Sequence, residues 1–243
     1  HAALILEYIP GKDLSQFLAD EIPGFEKQLR LAVSIAIALY DLQKENIFHG
    51  QLHPSNIIIE NNTHQPRLID FGYATVGNVF GVSHHFTKEK EIDHLKYIAP
   101  EQTGRINRPI DNRADLYSFG VILYQLFTGL RPFESDEALE LIYSHVAKTA
   151  EEPRHINKDL PQAISDIIMM LLTKNAEDRY QSAFGVKADL EKCLHQYETQ
   201  KKIHEFRLAA KDFSGKLFVQ GKLYGRENEI NYLNNLFSNC ANG

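Results

Sequence analysis

The stretch Asn46–Glu60, NIFHGQLHPSNIIIE, decides how the rest of the chain is read. Its last five residues form a β-rich piece, and a second such piece, PRLID, covers Pro66–Asp70. Asn61-Asn62 and Pro66 punctuate the interval between them, which predicts a hairpin. Upstream, Leu31, Ile35, Leu39 and Leu42 fall on one face at helical spacing, so Gln28–Lys44 is predicted as an amphipathic helix. The polar loop HGQLHPSN is therefore held between a helix and a hairpin.

Working outward, ALILEYIPGKDLSQFL (Ala3–Leu18) predicts a strand, a turn at Pro10-Gly11, and a helix capped by Asp13 or Ser15. Tyr73–Lys96 has no sustained period, and a functional loop is the usual reason for such length in a compact domain. Arg113–Gly129, RADLYSFGVILYQLFTG, is apolar almost all round and predicts a buried helix with Gly129 as its C-cap. Amphipathic helices are expected at about 135–149, 161–173 and 183–198. From Thr199 to Lys222 the apolar period fades and charge increases, which suggests an interdomain connector. Gly225–Phe237, GRENEINYLNNLF, then looks like the first helix of another unit. The expected fold class is mainly α with a small β component.

The 243 residues leave room for one large domain or two small ones. A formal charge of −6 provides no basic footprint, so nucleic-acid binding is set aside. Cys193 and Cys240 are too few for a disulfide framework and suit reduced thiols in a cytoplasmic protein. The most apolar runs, Leu31–Tyr40 and Phe119–Phe127, are about half the ~20 residues that a bilayer span needs, so they are read as core and no membrane insertion is expected. The chain opens at His1 on an apolar strand-like segment with no charged n-region or cleavage site, and both ends look cut from a longer polypeptide.

Three separated pieces resemble protein kinases in order and spacing. His49, Leu52, Pro54 and Asn56 match the catalytic loop H-R-D-x-x-x-x-N, Asp70-Phe71-Gly72 matches D-F-G, and Ala99-Pro100-Glu101 matches A-P-E. Asp115 resembles the Asp of the central buried helix that anchors the catalytic loop. Arg179 sits where kinases keep the Arg that pairs with the A-P-E Glu, here Glu101. LILEYIPG resembles the hinge between the lobes. That match makes Leu6 the gatekeeper, turns the Glu7 and Ile9 backbone to the adenine, and puts Ile58 beneath the base.

The resemblance implies the helical C-terminal lobe of a Ser/Thr-kinase-like domain over residues 1–200, a linker over 201–222, and the start of a AAA-type ATPase domain over 223–243. The Gly-rich loop, strand Lys and helix Glu of the N-terminal lobe would lie upstream of His1. Ile98–Phe133 and Asp212–Phe237 are similar to large bacterial signalling proteins that run from such a domain into a AAA-type ATPase, GAF and histidine-kinase modules. Those downstream modules are then the expected partners, with a protein substrate as a further one. No G-x-x-x-x-G-K-[ST] motif is present, so this chain supplies no ATPase chemistry.

ATP and Mg2+ are the implied cofactors of the intact domain, with Asn56 and Asp70 as the metal ligands. The catalytic Asp is replaced by Gln51, an amide that orients a hydroxyl but takes no proton. The Lys two residues on, which touches the transferred phosphate, is His53. The Thr that ties that Asp and Lys together is His94, and the Arg that grips a phosphorylated activation loop is Gly50. On this reading phosphotransfer is degraded and the domain is a regulatory pseudokinase. The alternatives are a slow Ser/Thr kinase with another base, and a scaffold without nucleotide. In the first, His53 would serve as a phosphate-side cation when protonated and His94 would bond Gln51. His84-His85 is a weak zinc signal, read as solvated loop. Thr75 and Thr87 are modification candidates that lack their usual Arg partner.

Overall fold

The computed structural model describes residues 7–20, 23–76, 92–106 and 108–213. The gatekeeper Leu6, His84-His85, Thr87, Cys240 and the whole ATPase-like segment 223–243 lie outside them.

Strand β1 (Gly11–Asp13) leads straight into α1 (Leu14–Asp20), whose first turn is capped as Asp13 Oδ1 accepts the Gln16 N–H at 2.9 Å. Gly11 is in the strand and not in a turn. A Cβ there would sit 2.3 Å from the Ile59 carbonyl oxygen, so the close strand approach selects glycine. Helix α2 (Phe25–Lys44) starts three residues before the predicted Gln28 and buries Leu29, Ala32, Ile35, Ala36 and Leu39. After β2 (Ile47–Phe48), β3 (Ile57–Glu60) and β4 (Pro66–Leu68) form the predicted hairpin, with Ile57 opposite Leu68 and Ile59 opposite Pro66. The sheet order β1-β3-β4 leaves Pro66 on an edge strand, where its missing N–H costs no ladder bond. β5 (Thr75–Val76) returns antiparallel to β2.

The single-turn α3 (Ile92–Leu95) precedes α4 (Asn112–Thr128), which is capped by Asp111 and ended by Gly129 at φ 76°. α4 is buried on nearly every face, as its composition requires, and packs on α2 and α7. α5 (Ala138–Ala147), the short α6 (Pro153–Ile156), α7 (Gln162–Leu171) and α8 (Ala183–Gln200) complete the helical layer, α8 lying along α2. α6 has no periodicity signal, being a single turn begun by Pro153 at its first position.

Past α8 the chain stays on this layer. Ile203 joins the core, while Phe206, Leu208 and Ala209 pack against it. Asp189 Oδ2 accepts the Ala209 N–H at 2.7 Å, and Asp212 accepts the Gln181 N–H at 2.6 Å and the Ser182 hydroxyl at 2.5 Å. Cys193 is buried in α8, and burial pushes its thiol up to about 12. No helix among the described residues is long and apolar enough to cross a membrane.

Candidate phosphotransfer site

The loop after β2 is fixed from beneath by α4. Asp115, in the first turn of α4, accepts the His49 N–H at 2.6 Å and the Gly50 N–H at 2.9 Å through its two carboxylate oxygens. Burial pushes this carboxyl up, and the two amide bonds oppose that by favouring the ionised form. His49 is fully buried, and its Nε2 meets the Ile69 carbonyl at 2.8 Å, tying the loop to the end of the hairpin. Gly50 has φ 78°, and a Cβ there would lie 2.7 Å from the Tyr73 carbonyl oxygen.

A second tether escapes sequence reasoning. Gln102, in the turn that follows A-P-E, donates to the Gly50 carbonyl at 2.6 Å and accepts from the Ala99 N–H at 3.1 Å. Only its position beside the motif pointed to it.

Of the two residues expected to hold Mg2+, Asn56 ends the 3-10 turn Pro54–Asn56 and is buried. Its Nδ2 donates to the Gln51 carbonyl at 3.0 Å, and its own carbonyl accepts the Ile69 N–H at 3.0 Å. No described residue donates to its Oδ1. Asp70 takes a left-handed backbone at φ 59°, with its side chain accepting from Gly72 N at 3.4 Å and otherwise exposed. Phe71 is half exposed and its ring lies 5.0 Å from that of His49. An amide oxygen and a carboxylate are the hard oxygen ligands that Mg2+ takes.

The chemical side is built differently. Gln51 Nε2 contacts Nδ1 of His94, which α3 delivers. The His94 ring stacks on His53 at 4.3 Å between centroids, with 20° between the planes. His53 is only 6% exposed, and its Nε2 has no hydrogen-bond partner among the described residues. Burial, then the neighbouring His94 and His49, push its pKa down to about 4. The ring is therefore neutral near pH 7 in this arrangement.

Farther out, Glu101 and Arg179 form a buried bidentate pair at 2.7 and 2.9 Å. The remaining Arg179 donors go to the Thr173, Arg113 and Lys174 carbonyls at 2.7, 3.1 and 2.9 Å, so all five N–H groups are used. Gln51, His53, His94 and Asn56 thus form one contiguous cluster. Ile58 is half-buried on β3 opposite Asp13, Ile9 is half-buried, and Glu7 is exposed. No described contact joins Glu7 or Ile9 to Asn56 or Asp70.

The protein kinase domain family matches residues 1–195. A probable serine/threonine-protein kinase of Clostridium acetobutylicum is 31% identical over 195 residues, covering 80% of this chain and 29% of the relative. A serine/threonine-protein kinase of Myxococcus xanthus is 34% identical over 195 residues, 77% of this chain and 35% of the relative. Hybrid signal transduction histidine kinase G of Dictyostelium discoideum is 37% identical over 155 residues, 56% of this chain and 4% of the relative. The chain spans about a third of the length of these relatives, or far less. With the family matched over most of its length and the Asp115 and Glu101–Arg179 tethers in place, the chain belongs to the protein kinase domain family.

Proposed function

We propose that this is the kinase-like domain of a signal-transduction protein, able to bind Mg·ATP in the intact molecule but impaired in phosphotransfer. The contact between the Gln51 amide and His94 carries this reading. As placed, the amide nitrogen donates to Nδ1, which puts the ring hydrogen on Nε2. Neither group then accepts a proton from a substrate hydroxyl, and general-base catalysis is worth about 10²–10⁴-fold. The Asn56 and Asp70 oxygens, by contrast, fit Mg2+. Bound there, the ion would neutralise charge on the nucleotide phosphates. Glu7, Ile9 and Ile58 are the proposed adenine contacts.

The expected setting is cytoplasmic, with partners among the chain's own downstream ATPase and histidine-kinase modules. Likeness to a hybrid signal transduction histidine kinase supports such a setting. A second reading, an active Ser/Thr kinase, draws support from the intact Asp115 and Arg179 tethers and from relatives that carry that name.

Phosphotransfer from radiolabelled Mg·ATP by the full-length protein, against Asp70→Ala, separates the two. Binding without acid-stable label on Ser or Thr is expected, and label that vanishes in Asp70→Ala overturns the pseudokinase reading. Gln51→Asp is expected to raise transfer if the missing carboxylate alone is limiting.

A further inference from the structure

We infer that Gln51 and His94 form a donor pair that reads the terminal phosphate of a bound nucleoside triphosphate, so that the domain distinguishes ATP from ADP. The inference rests on the nucleotide-binding reading above and deepens it.

A carboxylate at position 51 would offer acceptors only, which suits a hydroxyl and repels phosphate. The side chains here present the opposite polarity. Because the Gln51 amide donates to Nδ1 of His94, Nε2 of that ring carries a hydrogen. No described residue accepts from it. Gln51 keeps a second amide hydrogen, for which the described residues likewise show no acceptor.

The pair is held in place. His94 is stacked at 4.3 Å on His53, a buried residue of the loop whose ring lies 6.4 Å from that of Tyr97. The backbone beneath Gln51 is anchored by Asn56 Nδ2 on its carbonyl at 3.0 Å. That same bond joins the pair to the metal side. A cation held by Asn56 and Asp70 would lie against the nucleotide's phosphates and neutralise their charge. The donors are therefore beside the region a terminal phosphate enters, and an N–H···O bond to a phosphate is charge-assisted. ADP lacks the group they would address.

The test is a calorimetric titration of the full-length protein with Mg·ATP and, separately, Mg·ADP, the Asp70→Ala protein giving the background from any other nucleotide site. Wild type is expected to bind Mg·ATP more tightly than Mg·ADP. His94→Phe keeps a ring to stack on His53 but has no N–H. It should lose about tenfold or more in affinity for Mg·ATP, with Mg·ADP within about twofold. Gln51→Glu, close in size, should move the same way by placing a carboxylate against the phosphate.

An unchanged ATP-to-ADP ratio in both variants, or equal weakening of both nucleotides, overturns the donor pair. Equal wild-type affinity for the two nucleotides also overturns it and leaves the nucleotide-binding reading standing. Absence of any Asp70-dependent binding overturns that reading as well.

Discussion

At the scale of single residues, the site is governed by groups whose partners lie far away in sequence. Glu101 and Arg179 are paired directly, and all five Arg179 N–H groups are used within the protein. Glu101→Ala leaves that cation buried and unpaired, so a loss of about 3–5 kcal/mol is expected in chemical denaturation. A second residue-scale effect concerns pH. His145 is fully buried against Tyr117, whose hydroxyl is 3.0 Å from its Nδ1, and burial with Lys174 nearby pushes its pKa down to about 3. The unfolded ring takes up a proton below about pH 6.5, whereas the folded ring stays neutral until near pH 3. The unfolded state thus holds more protons between those values. Stability contributed by the neutral ring is full above pH 6.5 and is lost as pH falls toward 3. His145→Phe should flatten the stability–pH curve in that window by up to ~1.4 kcal/mol per pH unit, measured by urea unfolding.

At the scale of elements, periodicity made the long helices legible, because α2, α4, α7 and α8 each bury a face or a whole surface. It did not reveal β1, whose three residues alternate too briefly, nor β5, whose two residues pair only with β2. In the site, His49, Asn56, Asp70 and Asp115 were legible because kinase resemblance carries their spacing. The Gln51–His94 bond was an option among several, and Gln102 had only the neighbouring motif to mark it, since one amide bridging 52 positions has no local signature. Helix packing gives its own prediction. At Gly120 the crossing of α4 and α7 is so close that an added Cβ would lie 2.7 Å from Leu171 Cβ. Gly120→Ala gains up to ~1 kcal/mol of helix propensity but overpacks the crossing by about 1–3 kcal/mol. Net destabilisation is expected, seen as a lower denaturation midpoint at unchanged m.

At the scale of the whole molecule, segment 201–222 was read as connector from its fading apolar period and its charge, and its described residues, 201–213, are held on the helical layer by a few well-spaced apolar side chains and by Asp212. Charge counts miss this because the anchoring bonds are made to backbone at Gln181 and to Ser182, which itself caps α8 through Gly185 N at 3.1 Å. Asp212→Ala should therefore loosen the start of α8. The expected result is faster hydrogen exchange at Gln181 and Gly185 with a loss of about 1–2 kcal/mol, and unchanged exchange there would refute the anchoring role.

The Asp115 tether has a consequence for how such a chain comes into being. The loop at His49 and Gly50 takes its shape from a carboxylate 66 positions later, and the Glu101–Arg179 pair closes over 78 positions. Loop-closure entropy must be overcome before either bond forms. During synthesis, residues 49–70 therefore leave the ribosome without their final geometry and wait for α4, then for Arg179. On the proposed nucleotide-binding reading, capture becomes available only once α4 and Arg179 have been made and docked, so binding would report completed folding and not merely the presence of the loop.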